Sequence, residues 1–197
     1  DGNDRRRKRK IDFGQIKSIE RYSSNGATVV LKNGDELLLR ETNDVNDGNR
    51  GIIISEVGFG QVRVDWDEFE MLEFSSAPKA ARYDDFDGGR KLRGTVFTED
   101  GESYSGDIRW DNDEEYSWEI LDGELHDIEF DIEFGYIKEI EKKSYRSCIV
   151  TVQDGRSFRL RGSNDVDEDN KGVFVTLDDG DEVEVEWEDF ERLVFEK

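Results

Sequence analysis

Two loops rich in aspartate and asparagine carry the side chains of this sequence that are best suited to chemistry. Oxygen-bearing side chains recur at nearly alternate positions in both, which is what a hard cation such as calcium requires of its ligands. The candidate ligands are Asp44, Asn46 and Asn49 in the first loop, and Asp165, Asp167, Asp169 and Asn170 in the second. One interpretation is therefore a calcium site in each loop.

A second interpretation is that these side chains only shape turns between strands. Neither loop has the downstream bidentate glutamate and the fixed glycine of an EF-hand, and Gly48 replaces Asp169 in the first loop. Asn and Asp commonly bond to the nearby backbone in turns, and Gly51 and Gly172 would let the chain leave each loop. We favour the turn interpretation over the calcium site. An enzymatic role ranks third, because a single histidine, His126, provides neither a triad nor a zinc cluster.

Two tryptophans flank the acidic segment DNDEEYS (111–117). Trp110 or Trp118 could present a ring face to a sugar or to a peptide side chain. Burial in the core is the alternative, and it is the one that we favour. Trp66 and Trp187 lie on the apolar face of alternating segments, so we expect both in cores.

Charge limits the classes of partner. The 197 residues contain 50 acidic and 28 basic side chains, a net charge of −22, and the acidic excess is spread along the chain. Such a field repels phosphate backbones and anionic membranes, so we expect no nucleic-acid partner. No apolar run approaches the length of a membrane span. The single cysteine, Cys148, is expected to be a small buried residue.

The chain repeats itself without a gap. Residues 1–76 align with 122–197 at an offset of 121, and 26 of the 76 aligned pairs are identical. A second similarity, at an offset of 54, relates GTVFTEDGESYSG (94–106) to CIVTVQDGRSFRL (148–160). Self-similarity at fixed periods predicts duplicated structural units.

The apolar pattern has a period of two almost everywhere, which predicts strands. Asn33-Gly34, Asp100-Gly101 and Asp154-Gly155 each interrupt such a pattern, and these dipeptides are strong signals of β-hairpins. The segment EVEVEWEDF (182–190) alternates acidic with apolar residues, as a half-buried strand does. The sequence thus predicts an all-β protein with very little helix.

The number and spacing of the strands predict tandem small SH3-like β-barrels or half-barrels. We expect residues 1–74 to form a first copy that is incomplete at its N-terminus, 75–91 to be a linker, and 92–197 to form a second, complete copy. The first copy lacks a counterpart of 92–121, so we expect an upstream segment of that kind in the precursor. Residues 1–20 would then dock within the chain, or exchange strands with a second molecule and form a homo-oligomer.

Two resemblances accompany these patterns. The segment VTVQDGRSFRLRGSNDVDEDNKGVFV (150–175) resembles the first hairpin of Sm-like and PRC-barrel proteins, although the RNA binding that the Sm-like family implies fits poorly with so acidic a loop. The motifs WDNDE (110–114), FGYIKEIE (134–141) and SNDVDEDNKG (163–172), together with similar ones, resemble uncharacterised repeat proteins exported by bacteria. That resemblance implies an extracytoplasmic location, periplasmic or secreted, and no known activity.

These observations predict a non-catalytic structural or interaction module of an exported bacterial protein, with a protein or a cell-envelope component as its partner. The alternative is a calcium-dependent binding module that uses the two acidic loops. No other cofactor is expected.

Overall fold

The computed structural model describes residues 10–56, 58, 60–75 and 89–196, and the described chain is all-β. Strands make up 55% of the described residues. Single 3-10 turns lie at Phe13–Gln15 and at Phe134–Tyr136. The predicted all-β class with very little helix is confirmed. No helix among the described residues is long and apolar enough to span a membrane.

Sixteen strands are described. They are β1 (Ile16–Ser23), β2 (Gly26–Leu31), β3 (Glu36–Arg40), β4 (Ile52–Glu56), β5 (Gly60–Val64), β6 (Met71–Glu73), β7 (Arg93–Thr98), β8 (Ser103–Trp110), β9 (Ile120–Leu125), β10 (Ile128–Glu133), β11 (Ile137–Ser144), β12 (Ser147–Val152), β13 (Ser157–Leu160), β14 (Val173–Thr176), β15 (Glu182–Val185) and β16 (Phe190–Phe195).

The hairpins form where the sequence places their turn residues. Gly34 lies between β2 and β3, Gly101 between β7 and β8, and Gly155 between β12 and β13. These glycines have φ of 94°, 86° and 93°, in the region that side chains with a Cβ rarely adopt. The three predicted hairpins are therefore confirmed, and each turn has a local cause in its own dipeptide.

The chain divides into two compact units. In the described residues, unit 1 comprises 10–52 and 65–75, and unit 2 comprises 53–56, 58, 60–64 and 89–196. β5 lies in unit 2 because it pairs with β10, with Val62 opposite Phe130. The predicted linker at 75–91 falls mostly on residues 76–88, which are outside the described part of the chain, as are residues 1–9.

The strands form three open antiparallel sheets. Unit 1 contains a sheet of order β3-β2-β1-β6. Unit 2 contains an eight-stranded sheet of order β13-β12-β11-β16-β7-β8-β14-β15, and β4-β5-β10-β9 form the third sheet. The expected closure into SH3-like barrels is not observed. The β7–β8 hairpin pairs with β16 on one side and with β14 on the other, so the sheet widens and β13 and β15 remain at its two ends.

Strand register is the same in the two units at the offset of the sequence alignment. Ile19 faces Val29 and Leu72 in unit 1. In unit 2, Ile140 faces Val150 and Leu193, each 121 residues further on. The register shifts in the β1–β2 pair also recur at equivalent positions of the β11–β12 pair.

Each unit has its own apolar core. In unit 1, Ile16, Ala27, Val29, Val45, Trp66 and Phe69 are buried. The core of unit 2 is larger and includes Trp110, Phe134, Ile137, Ile140, Val150, Trp187, Phe190 and Leu193. Trp66 and Trp187 are both almost completely buried, as the alternating pattern predicts.

Candidate functional site

The first acidic loop is shaped by its own side chains. The Oδ1 of Asn46 accepts a hydrogen bond from the Gly48 N–H at 2.8 Å, and the Oδ1 of Asn49 accepts one from the Gly51 N–H at 2.9 Å. The amide group of Asn49 donates back to the carbonyl of Asp44 at 3.3 Å. These are the side-chain-to-backbone bonds of tight turns, which replace strand pairing where the chain changes direction.

The second acidic loop makes the same three contacts 121 residues later. The Oδ1 of Asp167 accepts from the Asp169 N–H at 3.0 Å, and the Oδ1 of Asn170 accepts from the Gly172 N–H at 2.9 Å. The Asn170 amide donates to the Asp165 carbonyl at 3.5 Å. In each loop, two of the candidate ligands therefore direct an oxygen at the loop backbone.

Burial distinguishes the two loops. The Asp44 side chain is exposed, whereas Asp165 is only 4% exposed. The Oδ2 of Asp165 accepts from the Asp122 N–H at 2.7 Å, and its carbonyl accepts from the indole N–H of Trp110 at 3.1 Å. These hydrogen bonds connect the second loop to two other segments of unit 2. They explain why the carboxyl group of Asp165 is buried.

A third acidic segment joins this loop. The carboxylate of Asp111, which is 6% exposed, accepts hydrogen bonds from the Lys171 N–H and from the Asn164 amide. Close by, the Oε2 atom of Glu114 is buried without a hydrogen-bond partner in the described structure. We call this cluster, made of Asp111, Asp113, Glu114 and Asp165, the acidic junction.

Two carboxyl groups of the acidic junction have raised pKa values. Burial, together with the nearby charge of Asp165, raises the pKa of Glu114 to about 9. Burial likewise raises the pKa of Asp165 to about 7, against the lowering effect of the Asp122 N–H. A protonated carboxyl group is a poor ligand for a hard cation. No group of three or more His, Cys, Asp or Glu residues in the described parts of the chain is arranged to hold a metal ion.

The structure separates the two candidate platform tryptophans. Trp110 is completely buried, with its ring 5.3 Å from Phe190 and 6.3 Å from Trp187 between centroids. The platform interpretation is therefore wrong for Trp110, because the core covers both of its faces. Trp118 is 48% exposed and stacks on Tyr116 at a centroid distance of 6.4 Å, so part of its ring faces solvent.

A shallow acidic cleft lies on the β9–β10 hairpin. Asp131 lies opposite Asp122, and Glu129 lies opposite Glu124 in the register of the pair. All four carboxylates line the cleft, and Arg63 neutralises one of them through an ion pair with Glu129 at 2.5 Å. Partial burial and the charges of Asp131 and Glu129 raise the pKa of Asp122. This surface is consistent with the strong negative charge of the chain.

Among the described residues, the sheet of unit 1 has an open edge. β6 is the last described strand of its sheet, and the phenyl rings of Phe13 and Phe74 pack edge to face beside it at a centroid distance of 6.0 Å. Phe13 is nevertheless 69% exposed, and Met71 is 60% exposed. We call this surface, made of β6 with Phe13 and Phe74, the open edge.

The equivalent surface in unit 2 is covered. Phe134 and Phe195 make the same edge-to-face contact at 6.0 Å, but they are only 1% and 8% exposed. β16 pairs with β7 along this edge. The backbone N–H of Phe134 donates to the Glu119 carbonyl at 2.9 Å. In unit 2 the β7–β8 hairpin and the loop that follows it therefore bury the aromatic pair whose equivalent is exposed in unit 1.

Sequence reasoning found the acidic loops and missed the acidic junction. A signal for the junction was present, because the 54-residue offset that relates 94–106 to 148–160 also places Asp111 on Asp165. For the open edge the signal was the missing counterpart of 92–121 in the first copy, which predicted that Phe13 has fewer partners than Phe134. Comparison with known proteins finds no matching family model, no matching curated protein and no matching solved structure.

Proposed function

We propose that this chain is a non-catalytic structural and interaction module that binds another protein through the open edge of unit 1. In this proposal the two units are copies of one ancestral SH3-like unit, and the second copy has used its equivalent edge to hold the β7–β8 hairpin. The identical strand registers at an offset of 121 support this common origin.

The contrast between two equivalent aromatic pairs carries the proposal. The Phe13–Phe74 and Phe134–Phe195 pairs have the same ring geometry, but only the second pair is covered by described residues. A strand edge next to exposed apolar side chains is a template for pairing with another chain, and proteins usually protect such edges. Met71 in β6 is apolar and exposed where a protected edge would carry a charge.

His126 and Cys148, which are of residue types often used in catalysis, do not belong to the open edge. His126 is exposed in the turn between β9 and β10, with φ of 51°. Cys148 is completely buried, and burial raises the pKa of its thiol. The calcium-dependent alternative has weaker support than the interaction module, because loop oxygens bond to their own backbone and the pKa values of Glu114 and Asp165 are raised.

The location of the protein is a separate part of the proposal. We infer an exported, extracytoplasmic protein of bacterial origin, and the support is the resemblance of its repeated motifs to exported repeat proteins. An envelope component or a second secreted protein would then be the partner at the open edge. Fractionation of the native organism with an antibody against this chain would test the location.

A peptide selection can test the binding function before the natural partner is identified. A displayed library of random peptides would be selected on the full chain, and the recovered peptides measured against Met71→Lys. We expect their affinity to fall at least about tenfold, because the lysine places a charge in the apolar part of the edge. Tyr145→Lys, at an exposed aromatic of unit 2, is the matched control and should leave the affinity unchanged. Peptides that bind Met71→Lys as well as the wild type would contradict the proposed function.

A further inference from the structure

The geometry points to a specific kind of occupant for the open edge. We propose that it binds a β-hairpin from a separate polypeptide that has the pattern of residues 93–110 of this chain. This inference rests on the proposed function and specifies the chemistry of the partner: an antiparallel strand pair whose first strand carries glycine at the position facing Phe74.

Unit 2 supplies the template for this complex. There β7 pairs antiparallel with β16, with Val96 opposite Leu193 and Gly94 opposite Phe195. The equivalents of these two β16 residues in unit 1 are Leu72 and Phe74. Since β1–β6 and β11–β16 have the same register, a strand added to β6 would meet the same arrangement of backbone and side chains.

Backbone N–H groups at the open edge point in the direction that pairing with an added strand requires. The Phe74 N–H donates to the Lys17 carbonyl at 2.8 Å, on the β1 side of the strand. Because strand N–H groups alternate in direction, those of Glu73 and Ser75 face the open side. In unit 2 the equivalent of Ser75 is Glu196, whose N–H donates to the Arg93 carbonyl of β7 at 2.8 Å. An incoming strand would accept the same bonds, as in recognition by strand addition.

Two side chains at the open edge occupy the positions that hold the hairpin in unit 2. Lys142 forms an ion pair with Glu99 of the hairpin at 2.6 Å, and its equivalent in unit 1 is the positively charged Arg21. The guanidinium of Arg192 lies 4.3 Å from the ring centre of Phe97. Met71 occupies the equivalent position, and a thioether also makes favourable contacts with an aromatic ring.

Glycine in the incoming strand is a steric requirement. A Cβ on Gly94 would lie 2.5 Å from the carbonyl oxygen of Val194 and 3.1 Å from the Cδ1 of Leu193. Glu73 and Leu72 are their equivalents at the open edge. A hairpin with a larger residue at this point could not approach β6 closely enough to pair with it.

The loop after the β7–β8 hairpin also helps to cover the aromatic pair of unit 2. In unit 2 the Gly135 N–H donates to the Ser117 carbonyl at 2.7 Å, and a Cβ on Gly135 would meet that carbonyl at 2.8 Å. In the described part of unit 1 nothing lies within 4 Å of the same point on Gly14. The partner therefore needs a segment beyond its hairpin to enclose Phe13, and the peptide 89–120 contains both parts.

A labelled peptide of residues 89–120, titrated with the full-length chain and followed by fluorescence anisotropy, tests the inference. We expect saturable binding to the wild type. Met71→Asp in the protein, which places a carboxylate where Arg192 of unit 2 places a cation against the Phe97 ring, or Gly94→Val in the peptide, should each weaken it at least about tenfold. Tyr145→Asp in the protein is the matched control and should bind as the wild type does. Hydrogen exchange should slow at the amides of Glu73 and Ser75 when the peptide is bound.

Three results would overturn the inference. The first is the absence of binding by the wild-type peptide. The second is equal binding to the wild type and to Met71→Asp, which would mean that the peptide replaces the chain's own hairpin in unit 2. The third is exchange at Glu73 in the free protein that is as slow as at Val194, which would mean that the edge is already paired. If the library peptides still depend on Met71 while peptide 89–120 does not bind, the proposed function stands and the hairpin is the wrong occupant.

Discussion

The rings of Phe13 and Phe74 meet edge to face at 6.0 Å and at an angle of 68°, which is nearly the geometry of the pair 121 residues later. Unit 1 therefore forms this aromatic contact without the hairpin that covers it in unit 2. Phe13 precedes β1 and Phe74 follows β6, so the pairing of these two strands brings the rings together. The open edge is for this reason a preformed surface, and a partner would not have to create it.

Replacing each of the equivalent phenylalanines by alanine should have unequal effects on stability. Phe134→Ala removes a ring that is 1% exposed, and it should lower the free energy of unfolding of unit 2 by about 3–5 kcal/mol. Phe13→Ala removes a ring that is 69% exposed, and it should cost about 0.5 kcal/mol or less. Urea denaturation followed by tryptophan fluorescence would measure both. A large loss in Phe13→Ala would mean that the ring is covered in solution.

Stability should depend on pH through the acidic junction. Asp165 has a pKa raised from 3.8 to about 7, so the folded protein holds a proton that the unfolded chain releases. The free energy of unfolding should therefore fall as pH rises from about 4 to about 7. Glu114, with a pKa of about 9, should continue this fall at higher pH.

Asp165→Asn tests this linkage. Since the asparagine does not titrate, the melting temperature of the variant should change less than that of the wild type between pH 4 and pH 7. Asp44→Asn changes the exposed equivalent in the first loop and serves as the matched control. Identical pH profiles for the wild type and Asp165→Asn would show that Asp165 is ionised in the folded protein.

The acidic loops should stabilise the fold without calcium. Asn170→Ala removes the Oδ1 that accepts from the Gly172 N–H, and a buried donor left without a partner costs about 1–3 kcal/mol. We expect a lower melting temperature for this variant and no effect of calcium or chelator on either protein. Scanning calorimetry with both additives is the measurement. A rise in the wild-type melting temperature with calcium, absent in Asn170→Ala, would support the cation-dependent alternative.

Cys148 should resist thiol reagents in the native protein. Its side chain is completely buried, and burial raises the pKa of the thiol, so the reactive thiolate is scarce. Labelling with a chromogenic disulfide should be slow in buffer and rapid in denaturant. Fast labelling of the native chain would indicate that the β11–β12 pair opens readily.

Local sequence determined the strands and their turns. The dipeptides Asn33-Gly34, Asp100-Gly101 and Asp154-Gly155 each specify a hairpin, because asparagine, aspartate and glycine tolerate the φ values that such turns need. Alternation of apolar residues likewise indicated which side of each strand is buried, as Trp66 and Trp187 illustrate. These properties depend on residues that are neighbours along the chain, so they can be predicted from the sequence.

The candidate surfaces depended on tertiary structure. Trp110 is buried and Trp118 is exposed although both flank one acidic segment, because Trp110 ends β8 and packs against Trp187. Asp165 has a raised pKa and its equivalent Asp44 is exposed, because only the second loop meets Asp111 and Glu114.

Pairing between strands that are distant in sequence determined the exposure of Phe13 and Phe134 and the extent of the sheets. Phe13 and Phe134 are equivalent in the sequence repeat, but the first copy lacks a counterpart of 92–121, which predicted fewer partners for Phe13. Their exposures are 69% and 1%. Pairing of β7 with β16 accounts for that difference and also for the width of the eight-stranded sheet, since the β7–β8 hairpin takes the hydrogen bonds of the β16 edge. The backbone of a strand edge can form the same hydrogen bonds whatever its side chains are. Local sequence therefore predicts that a strand forms, whereas the tertiary structure determines which strand pairs with it.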